Sequence, residues 1–151
     1  MNQSENLLQA VVENARMGAD ACDQLLTRTS EMELRKELML QRQQYSDSAR
    51  EAEERLCAMG IEPRPKGMPA RMGMWMGMQM NTAMNRSPSH IADMVIQGAT
   101  MGVVEITKAR NTYTEADAQA QGIASNLITK QQEAIERLKK YRIADKAKQK
   151  G

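Results

Sequence analysis

Val11-Val12-Glu13-Asn14-Ala15-Arg16-Met17-Gly18 recurs later in the chain as Val95-Ile96-Gln97-Gly98-Ala99-Thr100-Met101-Gly102. Both stretches repeat apolar or small residues three and four apart, which gathers them on one side of a helix. The first copy extends into a stripe of Leu8, Val11, Ala15, Gly18, Cys22 and Leu25, and the second into Ile91, Val95, Gly98, Gly102 and Ala109. Two helices of one type, each apolar along a single side, need partners to cover that side.

The partners lie directly downstream of each copy. Ser4 is placed to cap the first helix, over about 5–28, and Ser30 with Glu33 forms a capping-box pattern that opens a second helix over about 31–59. That second helix carries Leu34, Leu38, Tyr45, Ala52, Leu56 and Met59 and stops at Gly60. Ser87 followed by Pro88 opens the third helix, over about 88–110, and Thr114 with Asp117 opens the fourth, over about 114–142. The fourth has Ala120, Ile123, Leu127, Ala134, Leu138 and Tyr141 on one side, and Lys139, Lys140 and Arg142 suit its C-terminal dipole. A frayed tail is expected from about residue 143. The loops inside each pair are short, so each pair folds back as an antiparallel hairpin.

Pro63, Pro65, Gly67 and Pro69 interrupt the periodicity, making residues 60–87 the one long connection, with a short Met-rich helix expected over about 70–84. The sequence therefore predicts one all-α domain over residues 1–151, a four-helix bundle of two hairpins joined by a long crossover. Ferritin-like folds have that connectivity, whereas simple up-down bundles have only short loops.

Composition agrees with a single helical core. The chain has 151 residues, no Phe, 3% aromatic and 41% hydrophobic residues, and fourteen Met. Such an inventory of Leu, Ala, Met, Gln, Glu and Lys favours helices over strands. A formal net charge of +2 gives no concentrated basic stripe, and three Tyr and one Trp give no stacking platform, so no nucleic-acid partner is expected. Residues Met1 to Asn6 lack the pattern of a secretory signal and no eighteen apolar residues run together, so a cytoplasmic protein without a transmembrane segment is expected. Cys22 and Cys57 fall within helices without metal-ligand or redox spacing and read as small, reduced packing residues.

Three segments carry a resemblance: Glu33-Leu34-Arg35-Lys36-Glu37-Leu38, Met74-Trp75-Met76 through Gln79-Met80-Asn81-Thr82, and Ser89-His90-Ile91-Ala92 through Gly102. On these the chain resembles bacterial ferritin-like proteins related to rubrerythrins and to spore coat protein F. The resemblance implies a ferritin-like bundle and a spore or stress setting. It does not imply an activity, since such relatives include iron enzymes and structural proteins.

Di-iron chemistry in such a bundle needs a Glu from each of two helices and Glu-x-x-His from each of the other two. His90 is the single histidine and has Ser87 three residues before it, so no Glu-x-x-His exists. Catalysis and a resident cofactor are therefore not expected, and His90 reads as a solvated side chain. Glu105 borders the third stripe and is expected to be half-buried, while Gln41 and Gln131 fall on the second and fourth stripes. Together they read as a hydrogen-bonded layer that fixes register, with a remnant carboxylate site as the alternative. Gly98 and Gly102 are expected to let the third helix approach Ala15, Gly18 and Ala19 of the first closely.

Seven of the fourteen Met fall between Met68 and Met84, around Trp75. On a helix Met72, Met76 and Met80 share one side and Met74 and Met78 another, leaving apolar groups on more than one side. Met72, Met74, Trp75, Met76, Met78 and Met80 are therefore the candidate interaction residues. The first reading is a structural or interaction protein that forms a homo-oligomer, a dimer by preference, or binds a protein partner through them. The second is a soft-metal protein, because thioether sulfur selects Cu(I), with Met72, Met76 and Met80 as candidate ligands. A degenerate carboxylate metalloprotein of ferritin-like ancestry, using Glu105, is the third.

Overall fold

The computed structural model describes residues 2–63 and 87–150, with side chains through Tyr141. Four helices are present among them: α1 (Gln3–Leu26), α2 (Met32–Ala58), α3 (Pro88–Thr112) and α4 (Ala118–Lys150). The all-α four-helix bundle expected from the sequence is the observed architecture. The expected short helix over about 70–84 lies outside the described residues. The fourth helix continues to Lys150, so the backbone past Arg142 is helical where a frayed tail was expected.

The ends of the helices show how local chemistry sets their limits. Asn2, and not Ser4, caps α1, its Oδ1 accepting from the Glu5 N–H at 2.6 Å. Ser4 is buried instead, and its hydroxyl accepts from the Asp117 N–H at 2.7 Å, while Gln3 Oε1 accepts from the Glu115 N–H at 2.7 Å. A side chain able to cap has been drawn into a tertiary bond to the loop before α4. Glu31, and not Ser30, caps α2, its carboxylate accepting from the N–H groups of Glu33 and Leu34. A carboxylate there also meets the positive end of the helix dipole. Asp117 caps α4 itself, Oδ1 accepting from the Ala120 N–H at 2.8 Å, the role assigned to Thr114 from sequence.

Two termini match their sequence signals directly. Ser87 caps α3 with Pro88 in its first turn, the hydroxyl accepting from the His90 N–H at 3.3 Å. Gly60, at φ +75°, closes α2: the Ile61 N–H reaches the Leu56 carbonyl at 2.9 Å and the Gly60 N–H reaches that of Cys57 at 3.0 Å. Those paired bonds need a left-handed residue after the last helical turn, where glycine is unstrained. Between α1 and α2, Arg35 Nη1 donates to the carbonyls of Leu26 at 2.6 Å and Thr29 at 2.7 Å, tying the tight hairpin.

Contacts between helix ends fix the topology. The start of α1 meets the loop between α3 and α4, Arg55 late in α2 pairs with Asp117, and Glu37 early in α2 pairs with Arg137 late in α4. Helices α1 and α4 thus run one way and α2 and α3 the other. The chain leaves α2 at one pole of the bundle and enters α3 at the opposite pole.

Every helix buries one side in a common core. Leu7, Leu8, Val11, Val12 and Ala15 of α1 are fully buried with Leu34, Leu38, Ala52 and Leu56 of α2. From the second hairpin come Ile91, Ala92 and Ile106 of α3 and Ala120, Ala124, Leu127 and Leu138 of α4. Each large aliphatic group buried this way contributes about 1.5–3 kcal/mol. Alanines on facing helices let the backbones approach, and Tyr45 is the one aromatic residue of the buried core among the described residues.

Candidate functional site

The middle of the core is interrupted by a polar layer. Gln131 of α4 is 4% exposed, and its Nε2 donates to Asn14 Oδ1 at 3.1 Å and to the Tyr45 hydroxyl oxygen at 3.2 Å. Asn14 of α1 in turn donates from Nδ2 to the Gly102 carbonyl of α3 at 3.2 Å. Side chains and backbone of all four helices meet in one set of bonds. Buried polar groups without partners would each cost about 1–3 kcal/mol, so this arrangement has to hold in a single register.

The glycines make room for that layer. A Cβ on Gly102 would lie 2.7 Å from Gln131 Nε2 and 3.3 Å from Asn14 Nδ2. A Cβ on Gly18 would lie 2.5 Å from the Tyr45 ring. The expectation of a close α1–α3 backbone contact at these glycines is therefore corrected. Gly18 accommodates an aromatic ring from α2, and Gly102 accommodates amides from α1 and α4.

Beside the layer, Gln41 is 2% exposed and donates from Nε2 to Glu37 Oε1 at 3.3 Å. The Glu37 carboxylate is gripped by Arg137, whose Nε donates to Oε1 at 2.9 Å and to Oε2 at 3.0 Å. This pair joins α2 to α4 with charge-assisted geometry stronger than a neutral bond.

Burial governs the titration of the groups near the layer. Desolvation, helped by the charge of Asp23, pushes the Cys22 thiol up to about 12. Desolvation likewise raises the Tyr45 phenol far above its ordinary value, opposed by the bond from Gln131. Both groups stay protonated at neutral pH. Neutral amides, a backbone carbonyl and a protonated phenol do not supply the inward carboxylates and histidines that a di-iron centre needs. The donor set of this layer therefore does not fit that group.

Glu105 is half-buried, as expected, and lines the α1–α3 groove with Glu13 and with Asn14 of the bonded layer. That groove holds a cavity of about 240 Å³ lined by Ala10, Met17, Ile106 and Tyr113 as well as the two carboxylates. Among the described residues no three His, Cys, Asp or Glu side chains gather closely enough to hold a metal ion. His90 is half-buried and not fully solvated, and Cys57 faces outward where a packing role was expected, whereas Cys22 is buried. The candidate interaction residues Met72, Met74, Trp75, Met76, Met78 and Met80 lie outside the described residues.

Gln41 and Gln131 are readable as core residues from sequence because they interrupt apolar stripes. Asn14 is not, as it sits beside Ala15 in a stripe already complete without it. Glu37 and Arg137 escape sequence reading too, because charged residues flanking a stripe look like a solvated border. The signal available for them is polarity within one helical step of Gln41 and Leu138 on helices that must face each other.

No family model and no curated protein sequence matches the chain. Among solved structures it is similar to a DUF305 fragment from Deinococcus radiodurans, with a TM-score of 0.72 and 15% sequence identity. The likeness covers 92% of this chain and 94% of that one. It overturns the expected kinship with rubrerythrin-related and spore coat protein F-like proteins, and the spore setting loses its basis with it. Amphipathic helices in two hairpins specify a bundle, and unrelated lineages arrive at the same bundle. At that identity the similarity establishes a shared four-helix fold and nothing further about this chain.

Proposed function

We propose that this protein is a non-catalytic interaction protein: a four-helix scaffold that associates with a second copy of itself through the Met-rich segment, in the cytoplasm. The observation that carries the reading is the clustering of Met72, Met74, Trp75, Met76, Met78 and Met80, half of all the methionine falling between Met68 and Met84. Apolar side chains on more than one side of a segment need more than one surface to cover them, and the bundle offers one. Unbranched thioethers adapt to irregular partner surfaces. The polar layer supports the same reading, since its amides and phenol bond each other and bring no nucleophile, base or carboxylate pair together. No described helix is long and apolar enough to cross a membrane.

Replacing Met74, Met76 and Met78 together by Gln tests the proposal. The mass measured by light scattering falls toward that of the monomer while circular dichroism stays helical. An unchanged oligomer mass would remove the segment from the interface.

The chemistry of the same sulfur atoms favours one second reading, Cu(I) binding by Met72, Met76 and Met80. Titration with Cu(I) under reducing conditions distinguishes the two. Stoichiometric uptake that is lost when Met72, Met76 and Met80 are replaced by Gln supports the soft-metal reading, and no uptake leaves association alone.

A further inference from the structure

Between α2 and α4, next to the polar layer, lies a cavity of about 10 Å³ whose lining includes Gln41, Gln44, Tyr45, Lys130, Gln131 and Ala134. Two of the lining residues have buried acceptors that no described donor reaches: the side-chain carbonyl oxygens of Gln41 and Gln131. Their amide nitrogens are already committed. Gln41 Nε2 donates to Glu37, and Gln131 Nε2 serves Asn14 and Tyr45. A third lining residue is Tyr45, whose hydroxyl accepts from Gln131 and so keeps its own proton to donate.

We infer that this cavity binds a single structural water that donates to Gln41 Oε1 and Gln131 Oε1 and accepts from the Tyr45 hydroxyl. A volume near 10 Å³ is about what one water needs, and three hydrogen bonds is the usual number for a buried one. A dry cavity would leave two buried carbonyl oxygens unpaired, whereas natural cores satisfy nearly all such groups. Gln44 and Lys130, both half-buried, complete the lining.

The water joins two networks that are otherwise separate. On one side stand Arg137, Glu37 and Gln41, and on the other Gln131, Tyr45, Asn14 and the Gly102 carbonyl. With it in place a continuous chain of hydrogen bonds runs from an ion pair at the α2–α4 surface to the backbone of α3. That chain makes helix register a property of the whole layer.

A high-resolution crystal structure of the full chain tests the site directly. One density peak is expected at about 2.7–3.2 Å from all three oxygens, the range of ordinary hydrogen bonds. In solution, nuclear Overhauser spectra should show a cross-peak between water and the Tyr45 hydroxyl with the sign of a long-lived complex. Gln41→Met, which removes one acceptor and places a thioether against the cavity, should abolish both signals. Absence of the peak and the cross-peak in the parent protein would overturn the inference. So would a peak at about 2.3–2.6 Å from the oxygens, the distance of a hard cation, or a peak that survives Gln41→Met unchanged.

Discussion

At the scale of single residues, packing and hydrogen bonding meet where glycine stands opposite a polar side chain. Gly102 leaves the space that the Gln131 amide and the Asn14 amide occupy. Gly102→Leu pushes both aside and orphans bonds inside the core, each worth about 1–3 kcal/mol once a buried partner is lost. Denaturant melts should therefore show a loss of a few kcal/mol, and an unchanged midpoint would mean that the layer repacks without cost. Cys22 adds a pH signature. Its folded-state value lies at about 12 against 9.0 for the ordinary thiol, so its contribution is complete below pH 9 and is lost as pH rises toward 12. Unfolding free energy should fall across that window by up to about 1.4 kcal/mol per pH unit for this one group. Cys22→Ala should flatten the slope measured by urea melts at alkaline pH, and an equally steep slope in the variant would assign the effect to other groups.

At the scale of elements, the helices were legible where backbone geometry allows few residue types and less so where several side chains compete. Gly60 and the Ser87-Pro88 pair marked their termini because a left-handed residue and a proline in the first turn have few substitutes. Ser4, Ser30 and Thr114 were natural caps on paper, yet Asn2, Glu31 and Asp117 perform the task. Periodicity cannot report that Ser4 is needed by a loop on the far side of the chain. The same limit hid Asn14, whose partner Gly102 lies on another helix. The Asp117 cap carries its own test. The Ala120 N–H bond, with smaller help from Ser4 and Arg55, holds its carboxyl below the usual 3.8. The charged form thus stabilises the fold above about pH 4, and that contribution is lost as pH falls through the lowered folded value. Asp117→Asn keeps a capping oxygen without the charge, so acid titration followed by circular dichroism should show a shallower loss of stability. An identical acid profile would show that the Asp117 charge contributes nothing.

At the scale of the whole molecule, the bundle itself was readable from the repeated stripes of α1 and α3, while its lineage was not. Stripe, cap and hairpin length are physical requirements of any antiparallel bundle, and they point to an architecture shared by unrelated families. The similarity to the DUF305 fragment is a likeness of that architecture. Half of the methionine of this chain falls between Met68 and Met84. Each thioether side chain removed from water contributes about 1.5–3 kcal/mol, so even three that the bundle leaves uncovered amount to a large drive toward association. Sedimentation equilibrium of the parent protein over a wide concentration range measures that drive most directly. Association through the Met-rich segment predicts a mass of twice 16.9 kDa that dissociates on dilution, and a mass that stays at 16.9 kDa up to the highest concentration would contradict it.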